Sequence, residues 1–423
     1  MWCMEERDRV VWLHRSGGFG LPAAQLQAAV DAGAEAELQR LLDPDGAGGP
    51  PSVDPWDDTL LPLDPMDREA RIHAVGAWLR QMIETGQPAL DRMAWWWHGH
   101  LVSGLDKVRF ARAMVEQVRL FRRDGLGSFP ALLRSITLDP AMLLYLDLHT
   151  STGRQPNENY ARELLELFAL GVGEYEEADV KAAATALTGW VLQRTGDVQF
   201  APLRHDDDPQ ELLGASGVHN LDTVLSAVVA HPAMPGFLAR SLAEEVLGTT
   251  DETVTGRIAD AFAASGFDCR ELLRATLQEG IDGHAEPVVL APVPWFAQSM
   301  RVCEAGLRPQ ADAGALAQYL RDAGQLPMLP PNVAGWPGGS SWFGSGALIA
   351  RANLASLVAR RASSAVVDAA RSDDPAVLAE VLGLPAAGFG DESAAALLAA
   401  PRGTERLGVA LVTPEFMIVE APR

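Results

Sequence analysis

The amino-acid sequence predicts an all-α protein: a large, irregular multi-helix domain with long Pro/Gly/Trp loops and little or no β-structure. Three observations carry this reading. Apolar residues recur at three- and four-residue spacing along most of the 423 residues, which is the period of one helix face. The strongest of these runs stop at a glycine, a common helix terminator. Few five-residue stretches alternate apolar with polar residues, as a half-buried strand requires.

Taken in order, VVWLHRSGGFGLPAAQLQAAVDAGAEAELQRLLD opens the chain as two short helices broken by Gly17, Gly18, Gly20 and Pro22. DPDGAGGPPSVDP (43–55) is a turn-rich linker. From Pro65 the helical signal strengthens through REARIHAVGAWLRQMIETG, ALDRMAWWWHGHLVSG and DKVRFARAMVEQVRLFRRDG. GSFPALLRSITLDPAMLLYLDL follows, with Ser128 as N-cap and Pro130 in the first turn. NENYARELLELFALGVGEYEEADVKAAATALTGW (157–190) forms a helical hairpin. The pattern lapses over 191–220, which reads as loop with room for one short hairpin. Helices resume with LDTVLSAVVAH, PGFLARSLAEEVLG, ETVTGRIADAFAASG and CRELLRATLQEG. Residues 127–140 and 266–280 echo each other, as two copies of one helical unit would. LPMLPPNVAGWPGGSSWFGSG (326–346) is a long loop, and Ala-rich helices close the chain. The expected organisation is N-terminal helices packing on the core (1–42), a linker (43–64), a main helical domain (65–360) and a C-terminal helical segment (361–423).

Composition narrows the function classes. A net charge of −22 and a pI near 4.8 argue against nucleic acid as partner, because phosphate binding needs a basic footprint. No apolar run reaches the roughly 18 residues of a bilayer span. MWCMEERDRVVWLHRSGG lacks the basic start and apolar core of a signal peptide. A soluble, cytoplasmic protein is the expectation, with export left open for a chain whose leader has been removed. Cys3, Cys269 and Cys303 are odd in number and widely spaced, so neither a disulfide framework nor a cysteine zinc site is expected.

The hairpin carries the candidate chemistry. On a helix at about 100° per residue, Tyr160, Ala161, Leu164, Leu165, Leu167 and Phe168 form one apolar face. Glu158, Arg162 and Glu166 follow at i, i+4 and i+8, the spacing of an ion-pair ladder. Glu163 differs. No cation lies three or four residues from it along the helix, and its i−4 neighbour is Asn159. A partly covered carboxylate beside an amide suits a metal ligand or a general acid/base; an Asn–Glu hydrogen bond is the plainer alternative. Glu163, Asn159 and Glu166 are therefore the candidate catalytic residues. Ala182, Ala183, Ala184 and Ala186 on the second arm permit close helix approach.

This hairpin closely resembles the signature of the bacterial family called domain of unknown function 1800. LHRSGGFG, WWHGHLVS, KVRFARAMVEQVRLFR, LLRSITLDPAMLLYLD, HDDDPQELLG, PPNVAGWPGG and TPEFM fit the same family in the same order, from about residue 10 to 420. Three positions depart from it: Glu176 where a Thr N-cap is usual, Leu148-His149 where Asn often follows the YLD, and Gly99 where Asn often separates the histidines. The resemblance implies no particular reaction. It implies a protein partner resembling alkaline phosphatases and sulfatases, and relatives that are often exported.

Two further runs offer ligands. In WWWHGH (95–100), His98 and His100 lie about 200° apart on a helix and cannot chelate one ion there. Trp95, Trp96 and Trp97 cannot all enter one core from a helix, so part of this run should line a groove or an interface; a buried histidine with aromatic packing is the plainer reading, and a histidine reaching Glu163 to form a site is the alternative. His205 and Asp206 precede Asp207 and Asp208 in a loop; they become ligands for Fe, Mn or Zn only where that loop folds over the hairpin, and Asp147 is a weaker addition. Asn332, Trp336 and Trp342 could stack a carbohydrate or a peptide, or simply buttress the domain. Two functional expectations follow. One is a metal-dependent hydrolase or oxidoreductase whose divalent ion sits among His98 or His100, Glu163, His205 and Asp206. The alternative is a non-catalytic helical scaffold or binding protein that acts with a partner.

Overall fold

The N-terminal segment folds as three helices rather than two, Trp2–Ser16, Ala23–Ala32 and Ala34–Leu42, because Gly33 takes φ +88° and divides the second. In this computed structural model, residues 2–43, 54–62, 64, 67–307 and 309–422 are described. Half of the linker expected at 43–64 falls outside them, as does the side chain of Cys3. Trp12 anchors the N-terminal helices. Its indole lies so close to helix Cys269–Ile281 that a Cβ on Gly280 would sit 1.8 Å from the ring.

Helices dominate the described residues, and strands occur there only as short antiparallel pairs. The all-α expectation holds. A single buried apolar cluster runs from Val10 to Val419, drawing in Trp78, Trp97, Phe129, Tyr160, Phe262, Trp295, Leu354 and Phe416. The echo between 127–140 and 266–280 has a spatial counterpart. Phe129 N–H donates to Phe267 O at 2.9 Å, and Cys269 N–H donates to Gly127 O at 2.8 Å. These reciprocal bonds flank the Ser128–Asp268 bridge, so helices Phe129–Thr137 and Cys269–Ile281 begin side by side. Ser128 occupies the N-cap position without a side-chain cap, whereas Asp268 accepts from Arg270 N–H.

The hairpin departs from a regular helix halfway. Glu158–Glu163 is α-helical, then Leu164–Ala169 widens into a π-helix that ends at Gly171 (φ +99°). The expected apolar face is buried at Tyr160, Ala161, Leu164, Leu165 and Phe168. The second arm, Glu177–Ala186, stops four residues short of Trp190, which begins a strand. Asp179 receives the Glu176 N–H at 2.9 Å, so the second arm is capped even though Glu176 stands at its N-cap in place of the usual threonine. Two small hairpins then replace the expected loop: Trp190–Leu192 with Val198–Phe200, and Gln210–Leu212 with Ala215–Val218.

Candidate functional site: an aromatic-walled cleft

Helix Pro88–His100 is buried on every side, which is how Trp95, Trp96 and Trp97 can all leave solvent at once. Neighbours on each flank supply separate pockets. Trp97 stacks on Phe129 and donates to Gly125 O at 2.8 Å, while Trp95 stacks on Trp336 of the Pro/Gly/Trp loop at 5.2 Å. That loop presses so closely on the helix end that a Cβ on Gly335 would meet Gly99 O at 2.4 Å. Trp336 is thus a buttress. Its neighbours Trp342 and Phe343 also help wall a cleft of about 1140 Å³.

The opposite wall is helix Ala233–Leu247, which follows a tight turn at His231-Pro232. Gly236, Phe237, Arg240, Ser241, Glu244, Glu245 and Gly248 face the cleft, the i, i+4 stripe of one helical side. The turn of the hairpin reaches this wall, where Gly171 packs on Phe237 and Val172 projects into solvent at 81% exposure. The floor includes strand Val288–Val289. Buried Arg351 fixes that strand from beneath, donating to Leu290 O at 2.6 Å with its guanidinium over Trp295.

Charges of both signs line this space. Arg92 is buried and pairs with Glu245 across the cleft at 3.0 Å. Arg240 is exposed and makes no hydrogen bond or ion pair among the described residues. Glu174 and Glu244 stand on the rim. His100 stands between the walls. Its Nε2 lies 3.0 Å from the carbonyl oxygen of Phe168, one of the carbonyls that a helix end leaves unpaired. A carbonyl can only accept, so Nε2 carries the proton and Nδ1 presents its lone pair. The Ser241 hydroxyl donates to that Nδ1 at 3.2 Å. Trp96 stacks over the imidazole at 5.0 Å, and burial pushes the His100 pKa down to about 4.

The structure distributes the residues expected from sequence rather than gathering them. Of the expected metal ligands, His100 lines the cleft, whereas His98 is sealed among Trp78, Trp95 and Trp336. His98 Nε2 accepts from Met328 N–H, and burial pushes its pKa down to about 3. Both nitrogens of His205 face carbonyl oxygens, Thr188 O at 2.9 Å and His219 O at 3.0 Å. Asp206 closes a local turn by accepting from Asp208 N–H. Asn159 turns away from Glu163 and donates to Asp147 at 3.3 Å; Asp147 also holds Lys107 at 2.7 Å. Arg162 reaches Glu158 and the second arm's Glu177. Glu166, displaced by the π-turn, accepts from Tyr175 instead, so the ladder has only its first rung. Glu163 is half-buried and makes no hydrogen bond among the described residues. Burial, reinforced by Glu166, raises its pKa. Among the described residues, no three His, Cys, Asp or Glu side chains are placed to hold one metal ion.

Sequence reasoning missed Arg92, Arg240, Ser241 and Glu245. The available signal was slight: Arg240–Glu244 and Ser241–Glu245 at i, i+4 on an otherwise apolar helix, a pattern that solvated helices share.

An all-α fold built around a tryptophan-rich helix, with a cleft of mixed charge beside it, is what these observations define. The chain belongs to the family described as protein of unknown function (DUF1800), whose model matches residues 12–418. Comparison with curated proteins and with solved structures returns no match. Among the described residues, no single helix is long and apolar enough to cross a membrane.

Proposed function

We propose that the protein binds an extended peptide segment of a partner in this cleft. One observation carries the reading: a strand with a free edge lies in the cleft floor. Among the described residues, Val288–Val289 pairs on one side only, with Ile418–Val419. Leu290 N–H donates to Met417 O at 2.9 Å on that side. By the alternation of an antiparallel ladder, the Val289 N–H and C=O point the other way. A peptide laid along that edge would gain main-chain hydrogen bonds from the strand and side-chain contacts from both walls. Arg240, Glu174 and Glu244 would select charge, and Phe237, Val172 and Phe343 would receive apolar side chains. The partner that the family resemblance implies, one related to alkaline phosphatases and sulfatases, would supply such a segment.

The test is to pan a random-peptide phage library on the full chain and measure the enriched peptide by calorimetry. Binding by the parent, with at least a tenfold loss in Val289→Pro and unchanged thermal stability, is the expected result, since proline removes the edge donor. A peptide that binds Val289→Pro equally well, or a cleft that takes up only oligosaccharides, would overturn the reading.

A further inference from the structure

We propose that Ser241 is a nucleophile for acyl groups in this cleft, with His100 as its base. This role for Ser241 rests on the cleft being a ligand site, as proposed above, though not on the ligand being a peptide. Three features of the geometry converge. The Ser241 hydroxyl already points its proton at a nitrogen lone pair. The imidazole cannot present the other tautomer without opposing Nε2 to a carbonyl oxygen. A third group therefore orients the base, as in Ser–His nucleophile sites generally. Trp96 stacked over one ring face and Phe237 tilted against the imidazole at 5.9 Å hold its plane.

In the reaction, Ser241 Oγ bonds to the carbonyl carbon of an ester or amide while its proton passes to His100 Nδ1, and the carbonyl electron pair moves onto oxygen. Collapse of that intermediate breaks the bond to the leaving group, which takes the proton from Nδ1. Water then releases the acyl group from Ser241 by the same two steps. The transient imidazolium donates from Nε2 to Phe168 O at the C-terminal end of the hairpin's first arm, where a helix favours positive charge. Burial lowers the basicity of His100 in the resting protein, so this helix-end carbonyl is the feature that offsets the cost of charging the ring.

The experiment treats the full chain with a fluorophosphonate probe and maps the adduct by mass spectrometry. The expected result is one adduct, on Ser241, absent in Ser241→Ala, and formed at least 100-fold more slowly in His100→Gln. No adduct on the parent, or an adduct that persists unchanged in Ser241→Ala, would overturn the proposal. Ser241 is half-buried on a helix surface, so alanine is compatible with the fold; if His100→Gln does not fold, the Ser241→Ala comparison alone decides. Labelling without peptide binding would uphold this inference and reject the proposed ligand. Peptide binding without labelling would do the reverse.

Discussion

The backbone N–H of Met328 donates to Nε2 of His98 at 3.1 Å, tying the Pro/Gly/Trp loop to the tryptophan helix across 230 positions. Met328 adopts φ +63° to make this bond, a left-handed conformation that costs a non-glycine residue about 1 kcal/mol or more. The bond also assigns the tautomer: Nδ1 bears the proton, buried and without an acceptor among the described residues. His98→Phe keeps an aromatic ring, slightly larger than imidazole, but removes the acceptor for Met328. Chemical denaturation should show a loss of about 1–3 kcal/mol, the cost of an unpaired buried donor. An unchanged midpoint would mean that aromatic packing alone holds the loop.

Acid should weaken the fold through the two histidines. His98 and His100 are held neutral, with pKa values pushed down to about 3 and about 4. An unfolded histidine titrates near 6.5. Both contributions are therefore complete above pH 6.5 and are lost as the pH falls toward 4, because the unfolded chain takes up protons first. Urea midpoints recorded from pH 7.5 to 4.5 should fall, and His98→Phe should fall less steeply.

Asp139 acts in the opposite sense. It caps helix Pro140–Tyr145 from a buried position, accepting from Met142 N–H and Gln117 Nε2, and burial pushes its pKa up to about 7. Its contribution is complete below the unfolded value near 3.9 and is lost as pH rises toward 7. Asp139→Asn preserves the accepting oxygen for both donors and removes the titration. The stability difference between variant and parent should shift in favour of Asn between pH 4 and 7, by about 1.4 kcal/mol per unit of displacement. A difference independent of pH would show that Asp139 stays ionised.

Two glycine-to-alanine substitutions should separate sharply. Gly280→Ala drives a methyl into the Trp12 ring in the core, an overlap only large displacement can relieve. More than about 3 kcal/mol of destabilisation, or failure to fold, is expected. A Cβ on Gly256, within helix Glu252–Ala264, meets nothing within 4 Å. Its alanine variant should gain about 0.5–1 kcal/mol from helix propensity. Thermal melts of the two variants would check both.

Glu163 should prove inexpensive to replace. With no hydrogen bond to lose among the described residues and a raised pKa, Glu163→Gln should leave stability at pH 7 unchanged or slightly higher. A loss above about 1 kcal/mol would point to a partner for this carboxylate in the folded protein.

Periodicity alone was enough to determine the helical class and the hairpin's buried face, because spacing along the chain dictates which side chains share a helix face; it failed at Trp95, Trp96 and Trp97, which all enter one core because neighbours flank their helix on every side. The segments 127–140 and 266–280, which echo each other in sequence, meet at Ser128 and Asp268. What periodicity could not reach were events that depend on neighbours distant in sequence. The π-turn at Leu164–Ala169 redirected Glu166 to Tyr175, and Asn159 found Asp147 instead of Glu163. The partners of His98, His100 and His205 are backbone groups, which leave no signature in side-chain identity. The cleft itself was decided by tertiary structure alone. Ser241 meets His100 across 141 positions, and only the packing of the tryptophan helix against Ala233–Leu247 brings that hydroxyl to that lone pair.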